Sequence, residues 1–206
     1  MDSKVQTVLD EYHVRMKREI AIIRTLTMAE VESRKNDLLI AIGPQTAQVL
    51  SNLIKGQGAQ TIVELGASYG YSTVWFAEAA RATGGRVISF ELDAAKVEYI
   101  RSRLEQAELS NFVEFRVGDA REQLRSLDIP VDFALIDLWK DLYIPCFDLL
   151  LPRLARGAFI AADNILEPPV FREMGELYRQ HVRANGHFDS VLLPIGSGIE
   201  LSRLRD

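Results

Sequence analysis

The stretch Thr61-Ile-Val-Glu-Leu-Gly-Ala-Ser-Tyr-Gly-Tyr-Ser-Thr73 constrains the fold more than any other. Thr61 to Leu65 is β-branched and apolar, and reads as a short buried strand. Gly66 and Gly70 punctuate a tight loop, and Ser72 is placed to cap a helix running from Thr73 to about Ala82. A strand, a glycine turn and a helix N-terminus together make a crevice of nucleotide size. Glycines let backbone approach a ligand, and free N–H groups at a helix start favour a carboxylate or phosphate.

The same rhythm repeats downstream. Strands are predicted at Arg86 to Phe90, Phe112 to Val117, Val131 to Ile136 and Ala158 to Ala162, each followed by a helical pattern. Asp93 can cap a helix carrying Val97, Ile100 and Leu104, and Tyr143, Phe147, Leu150 and Leu154 mark another. A long helix is expected from about Pro169 to Ala184. Phe188 to Pro194 and Ile199 to Leu204, joined by Gly196-Ser197-Gly198, suit an antiparallel edge pair. The fold class is α/β: a Rossmann-like, doubly wound, mostly parallel seven-stranded sheet with an antiparallel last pair.

Ahead of this core lie N-terminal helices. Val5, Val8, Leu9, Tyr12, Met16, Ile20 and Ile23 recur at helical spacing over residues 4 to 24. Thr27-Met-Ala-Glu30 has capping-box spacing. Gly43-Pro44 opens a further helix with Val49, Leu50, Leu53 and Ile54 as its apolar face and Gly56 as its stop. The first helix is read either as laid on the core or, with the rest of residues 1–56, as a lid or a dimer surface, and residues 57–206 as the core of one 206-residue domain.

Composition removes several functions. Hydrophobic residues make up 48% and net charge is −5, with no basic stripe, so no nucleic-acid partner is expected. No apolar run approaches a membrane span, and the N-terminus lacks a signal core. A lone cysteine, Cys146, fits packing in a reduced, cytoplasmic setting. His13, His181 and His187 have no zinc-like spacing.

Acids collect at the predicted strand ends: Glu64, Glu91, Asp119, Asp137 and Asp163. Any one could be a helix cap. Together they lie along the ligand-binding edge of such a sheet. Glu91 stands one strand–helix–strand step past the glycine loop, where a carboxylate can accept ribose hydroxyls. The loop is not the dinucleotide pattern G-x-G-x-x-G. Asp137 and Asp163 end strands expected to be neighbours, about 4.8 Å apart, so they can converge on a hard cation with Asn164. Lys140 sits three residues past Asp137 and is either a general base or a solvated surface lysine. Trp139 either covers a flat ring or packs in the core.

In order, Glu64-Leu-Gly-Ala-Ser-Tyr-Gly-Tyr-Ser72, Phe90-Glu-Leu-Asp93, Gly118-Asp-Ala120, Ile136-Asp-Leu-Trp-Lys-Asp-Leu-Tyr143 and Ala162-Asp-Asn164 resemble the class I S-adenosylmethionine-dependent O-methyltransferases. The similarity is to the metal-dependent group containing catechol and caffeoyl-CoA O-methyltransferases, from about Pro44 to Leu201. It implies that Gly66, Tyr71 and Ser72 hold the methionine end of the cofactor, with Glu64 and Asp137 also in the cofactor site. Glu91 would bind the ribose, Asp119 and Ala120 edge the adenine, and Trp139 lie against its face. Asp137, Asp163 and Asn164 would bind Mg²⁺ or another divalent cation. Lys140, with Asp137 beside it, would serve the proton transfer.

The acceptor so implied is a small molecule with a hydroxyl, in the first instance an aromatic vicinal diol, and family members are commonly homodimers. Two departures stand out. Leu138 replaces a histidine beside the adenine, and Val191 falls where catechol enzymes carry a late acid. A sugar or other non-aromatic hydroxyl is therefore an alternative acceptor. A non-catalytic S-adenosylmethionine-binding protein is a third reading. Gly66-Ala-Ser-Tyr-Gly70 also fits the G-x-S-x-G elbow of serine hydrolases, though no oxyanion loop precedes it.

Overall fold

A computed structural model describes residues 1–34 and 36–205. Among these, seven strands form one sheet in the order β3-β2-β1-β4-β5-β7-β6. The strands are β1 (Thr61–Leu65), β2 (Arg86–Glu91), β3 (Val113–Val117), β4 (Val131–Ile136), β5 (Leu154–Ala162), β6 (Phe188–Leu193) and β7 (Ile199–Leu204). β1 pairs in parallel with β2 and β4, β2 with β3, and β4 with β5. β7 runs antiparallel to β5 and to β6. The predicted sheet and its antiparallel last pair are both present.

Alternation along each strand sorts the core into two faces. Ile62, Val87, Phe133, Leu135 and Ala161 point to one layer, with α1 (Ser3–Ile23), α3 (Pro44–Gln57), α4 (Tyr71–Thr83) and α5 (Ala94–Gln106). Val63, Leu65, Ile88, Ala134, Ile136 and Ile160 point to the other, with α6 (Ala120–Arg125), α7 (Tyr143–Leu150) and α8 (Arg172–Ala184). Cys146 is buried in this second layer, as packing requires.

Several predicted boundaries move, each for a local reason. α4 begins at Tyr71 with Gly70 as its cap at φ 86°, so Ser72 lies inside the helix. α3 runs through Gly56 and stops at Gly58, whose φ of 68° is the left-handed conformation that ends a helix. Leu154 starts β5 rather than continuing α7, because Pro152 confines residues 151–153 to a single tight turn. Likewise Pro169–Phe171 forms a separate tight turn before α8.

The N-terminal elements follow their capping chemistry. Asp2 accepts from the N–H groups of Lys4 and Val5 at 3.0 Å and starts α1. Thr27 and Glu30 form the capping box of α2 (Met28–Arg34), with Thr27 N–H donating to Glu30 Oε2 at 2.7 Å and Glu30 N–H to Thr27 Oγ at 3.3 Å. Val5, Val8, Leu9 and Tyr12 are buried, but the expected stripe fades past Met16 and Ile20 is 49% exposed. The Tyr12 hydroxyl donates to the Tyr69 carbonyl at 2.5 Å, which ties α1 to the glycine loop. No helix among the described residues is long and apolar enough to cross a membrane.

Candidate active site

The carboxyl ends of β1, β2, β4 and β5 meet at one edge. Backbone bonds lock them there: Gly66 N–H donates to the Phe90 carbonyl (3.0 Å), Asp137 N–H to Leu65 (2.9 Å) and Asp163 N–H to Ile136 (3.1 Å). Gly66 has φ 94°, and a Cβ added there would stand 2.2 Å from the Asp137 carbonyl oxygen. Only glycine fits between β1 and β4 at this point.

Gly66, Ser68, Tyr71, Ser72 and Asp137 face the segment Leu39–Ala41 across a crevice of about 10 Å³. That is room for about one water molecule. Within that segment Ile40 holds φ 41°, a strained conformation for a β-branched residue. Glu91 ends β2 and accepts from the N–H groups of Ser68 (2.8 Å), which lines the crevice, and Asp93 (3.0 Å). The Ser68 hydroxyl donates to the Leu39 carbonyl (2.8 Å), so it is spent on structure rather than armed by an imidazole.

Glu64 is placed differently from the others. It shares a sheet face with Ile62 and points toward α4, fully buried. Its Oε2 accepts from the hydroxyls of Thr73 and Ser89, both at 2.6 Å, and its Oε1 has no partner. Burial raises its pKa to about 7. Asp119 caps α6 and is paired with Arg121 (2.6 Å), which holds its carboxyl at about 2. Ala120 is buried beside it. Trp139 is 45% exposed, which removes the core-aromatic alternative.

Asp137, Asp163 and Asn164 come together as predicted from neighbouring strands. In its hydrogen-bonding orientation, the Asn164 amide nitrogen is 3.2 Å from Asp137 Oδ1 and 3.3 Å from Asp163 Oδ2. Asn164 holds φ 54°, a conformation asparagine tolerates. Asp163 is buried, and its Oδ1 has no hydrogen-bond partner. Desolvation and the Asp163 charge push the Asp137 carboxyl up, and desolvation pushes Asp163 up. Among the described residues no three of His, Cys, Asp and Glu gather into a metal cluster. Two carboxylates and an amide nonetheless suit magnesium, which keeps water or substrate oxygens for its other positions. An orphaned buried carboxylate oxygen is costly, and a cation would satisfy it.

Lys140 is buried, not solvated. Its Nζ donates to the Asp163 carbonyl at 2.9 Å and to the Tyr143 hydroxyl, which itself donates to the same carbonyl at 3.0 Å. Desolvation lowers the Lys140 pKa, and the two carboxylates only partly oppose this. The sequence marks Tyr143 as an apolar helix position and as the end of the motif from Ile136, without a role at the site; its three-residue offset from Lys140 is a usable signal. Leu39 to Ala41 carry no sequence signal that would place them here, whereas Ser197 is marked in the sequence by its glycine-flanked turn.

Residues 63–165 match the family described as "Methyltransferase domain". The chain belongs to that family. The match opens just before Glu64 and closes just after Asn164. Catechol O-methyltransferases of Niastella koreensis and Mycobacterium tuberculosis are 34% and 31% identical to this chain. Each match takes in 62% of the chain, and 59% and 58% of the relatives, so it spans less than two thirds of their length. An O-methyltransferase from Bacillus cereus, solved in complex with SAH, superposes with a TM-score of 0.76 at 24% identity. That likeness covers all of this chain and 92% of the other, and it establishes the methyltransferase fold.

Proposed function

We propose that this protein is an S-adenosylmethionine-dependent O-methyltransferase that uses a divalent cation and a lysine base. The observation carrying the proposal is the convergence of Asp137, Asp163 and Asn164 beside a buried Lys140, at the edge where Gly66 lets β1 and β4 come close. The names of the relatives support the reaction class. The acceptor is a hydroxyl of a small molecule, in the first instance an aromatic vicinal diol.

Gly66, Tyr71 and Ser72 would hold the methionine end of the cofactor, and Glu91, already fixed by two backbone N–H groups, the ribose. Asp119, Ala120 and the exposed Trp139 would bound the adenine. Asp137, Asp163 and Asn164 would hold the cation. S-Adenosylmethionine, when bound, supplies an electrophilic sulfonium methyl. A divalent cation, when bound, favours an acceptor oxygen in its anionic form.

Lys140 takes the acceptor's proton at Nζ. Burial prepares it by favouring the neutral amine at a pH nearer neutrality. The Asp163 carbonyl and the Tyr143 oxygen stand ready to accept from the ammonium that results. The remaining contribution is orientation and exclusion of water by the segment Leu39–Ala41.

Val191 favours the second acceptor class. It lies on β6, in register with Leu201, is 50% exposed, and offers no carboxylate to a second phenolic hydroxyl. A sugar or other non-aromatic hydroxyl is the alternative it supports.

The test is methyl transfer from labelled S-adenosylmethionine to a panel of aromatic diols, with Mg²⁺ and with EDTA. Magnesium-dependent product is expected. Cofactor binding without product on diols or on sugars would leave a silent binding protein. Undiminished product in EDTA would remove the cation from the mechanism.

A further inference from the structure

The β6–β7 turn is clamped onto the loop that carries Asn164. The Ser197 carbonyl accepts from the N–H groups of Leu166 (2.9 Å) and Glu167 (3.1 Å), and the Gly198 carbonyl from Ile165 (3.0 Å). The flanking glycines make this contact close. A Cβ at Gly196 would meet the Thr46 hydroxyl at 2.4 Å, and one at Gly198 would meet the Leu166 side chain at 2.6 Å. Ser197 is therefore held in one place, with its Oγ 3.3 Å from the Asn164 amide oxygen.

The two faces of that amide demand opposite partners in two states. Without a cation, hydrogen bonding assigns the NH₂ group to the side of the Asp137 and Asp163 carboxylates and the oxygen to the side of the Ser197 hydroxyl. With a cation between the carboxylates, an NH₂ group there is repelled. The amide must turn by half a rotation and present its oxygen. Three oxygens would then stand where the amide now lies 3.2 and 3.3 Å from the carboxylates. The NH₂ group would then point at Ser197 Oγ. A serine hydroxyl is both donor and acceptor, so it can satisfy either face.

We infer that Ser197 is a positioning residue for the cation, holding the Asn164 amide in both of its orientations and licensing its reversal when the metal enters. This rests on the cation site proposed above. It extends that site to a residue 33 positions away in sequence (197 − 164), outside the matched segment 63–165. Partners that orient a metal ligand typically contribute 10- to 100-fold in metal affinity.

The experiment is Mn²⁺ binding by calorimetry to the wild-type chain, to Ser197→Ala and to Ser197→Thr. It is paired with NMR of the Asn164 side-chain NH₂ signals during Mg²⁺ addition to the wild type. Ser197→Ala should bind Mn²⁺ about 10-fold or more weakly, with S-adenosylhomocysteine affinity within about twofold of wild type. Ser197→Thr, which restores the hydroxyl, should recover most of that loss. The Asn164 NH₂ pair should move with saturable Mg²⁺ dependence. Equal Mn²⁺ affinity in Ser197→Ala and wild type, or NH₂ signals unmoved by saturating Mg²⁺, would overturn the inference while leaving the cation site standing. A wild type that binds no Mn²⁺ overturns the cation site, and the inference with it.

Discussion

Lys140 donates from Nζ to the backbone carbonyl of Asp163 over 2.9 Å, which ties the proposed base to the chain that carries a proposed metal ligand. The amine cannot drift from the cation site without breaking a buried hydrogen bond. Proton acceptor and charge stabiliser are thus held in one fixed relation.

Lys140→Ala should therefore lower kcat by roughly 10²- to 10⁴-fold. Lys140→Arg should not rescue it, because a guanidinium stays protonated and cannot take a proton. Single-turnover methyl transfer separates this from effects on binding. A loss below about tenfold would mean that the cation alone suffices.

Asp163→Ala should abolish cation-dependent turnover and leave S-adenosylhomocysteine affinity nearly unchanged. It should also abolish stabilisation by Mg²⁺. In the wild type, Mg²⁺ at 100 times its Kd contributes about 2.7 kcal/mol, or roughly 5–10 °C in Tm at this chain length. Thermal melts with and without Mg²⁺ read this directly. An equal Mg²⁺ shift in the variant would place the cation elsewhere.

Much of this arrangement was legible in the sequence because β1 and β4 are buried, largely apolar runs and β7 mixes apolar with polar residues, each with sharp ends. Thr61–Leu65, Val131–Ile136 and Ile199–Leu204 were predicted to the residue. The pairing of Asp137 with Asp163 followed from strand adjacency alone. Other features depend on geometry that one-dimensional patterns do not carry. Gly56 and Gly58 are equal candidates for a helix stop by composition, and only a positive φ at Gly58 separates them. The apolar rhythm of α7 runs on into Leu154, because a helix stripe and a strand start share the same residue types. Burial of Lys140, exposure of Trp139, and the reach of Ser197 to Asn164 are long-range facts of packing.

Glu91 accepts two loop N–H bonds, so its replacement should be felt in two ways. Glu91→Gln keeps one acceptor oxygen but loses the charge and sets its NH₂ group against the other N–H, so it should weaken cofactor binding. Glu91→Ala also frees the N–H groups of Ser68 and Asp93 and should weaken it further. Isothermal calorimetry with S-adenosylhomocysteine orders the three proteins. Unaltered affinity in Glu91→Ala would move the ribose site away from this carboxylate.

Gly66→Ala tests the closeness of β1 and β4. The new methyl would overlap the Asp137 carbonyl at 2.2 Å, and φ 94° is itself strained for alanine. The conformational part alone costs on the order of 1–3 kcal/mol. The variant should show a lowered denaturation midpoint and a cofactor affinity reduced beyond what calorimetry resolves. Wild-type stability together with wild-type affinity would refute the close approach.

Glu64 gives the fold a pH dependence of defined sign. Burial raises its pKa from an ordinary 4.5 to about 7, so the folded chain holds this proton more tightly than the unfolded one. The stability it contributes is full below about pH 4.5 and is lost as pH rises through about 7. A shift of this size corresponds to roughly 3 kcal/mol. Glu64→Gln removes the charge, keeps an oxygen for Thr73 and Ser89, and puts an NH₂ group where the unpartnered Oε1 stands. Relative to wild type, the variant should therefore gain stability from pH 5 to about pH 7 and hold that gain above it. Urea unfolding at each pH measures the gap. Because Asp137 and Asp163 also titrate upward of the ordinary range in both proteins, the difference between the two curves, rather than either slope, isolates Glu64. Parallel curves would mean that its carboxyl is ionised throughout and held by its hydroxyl partners alone.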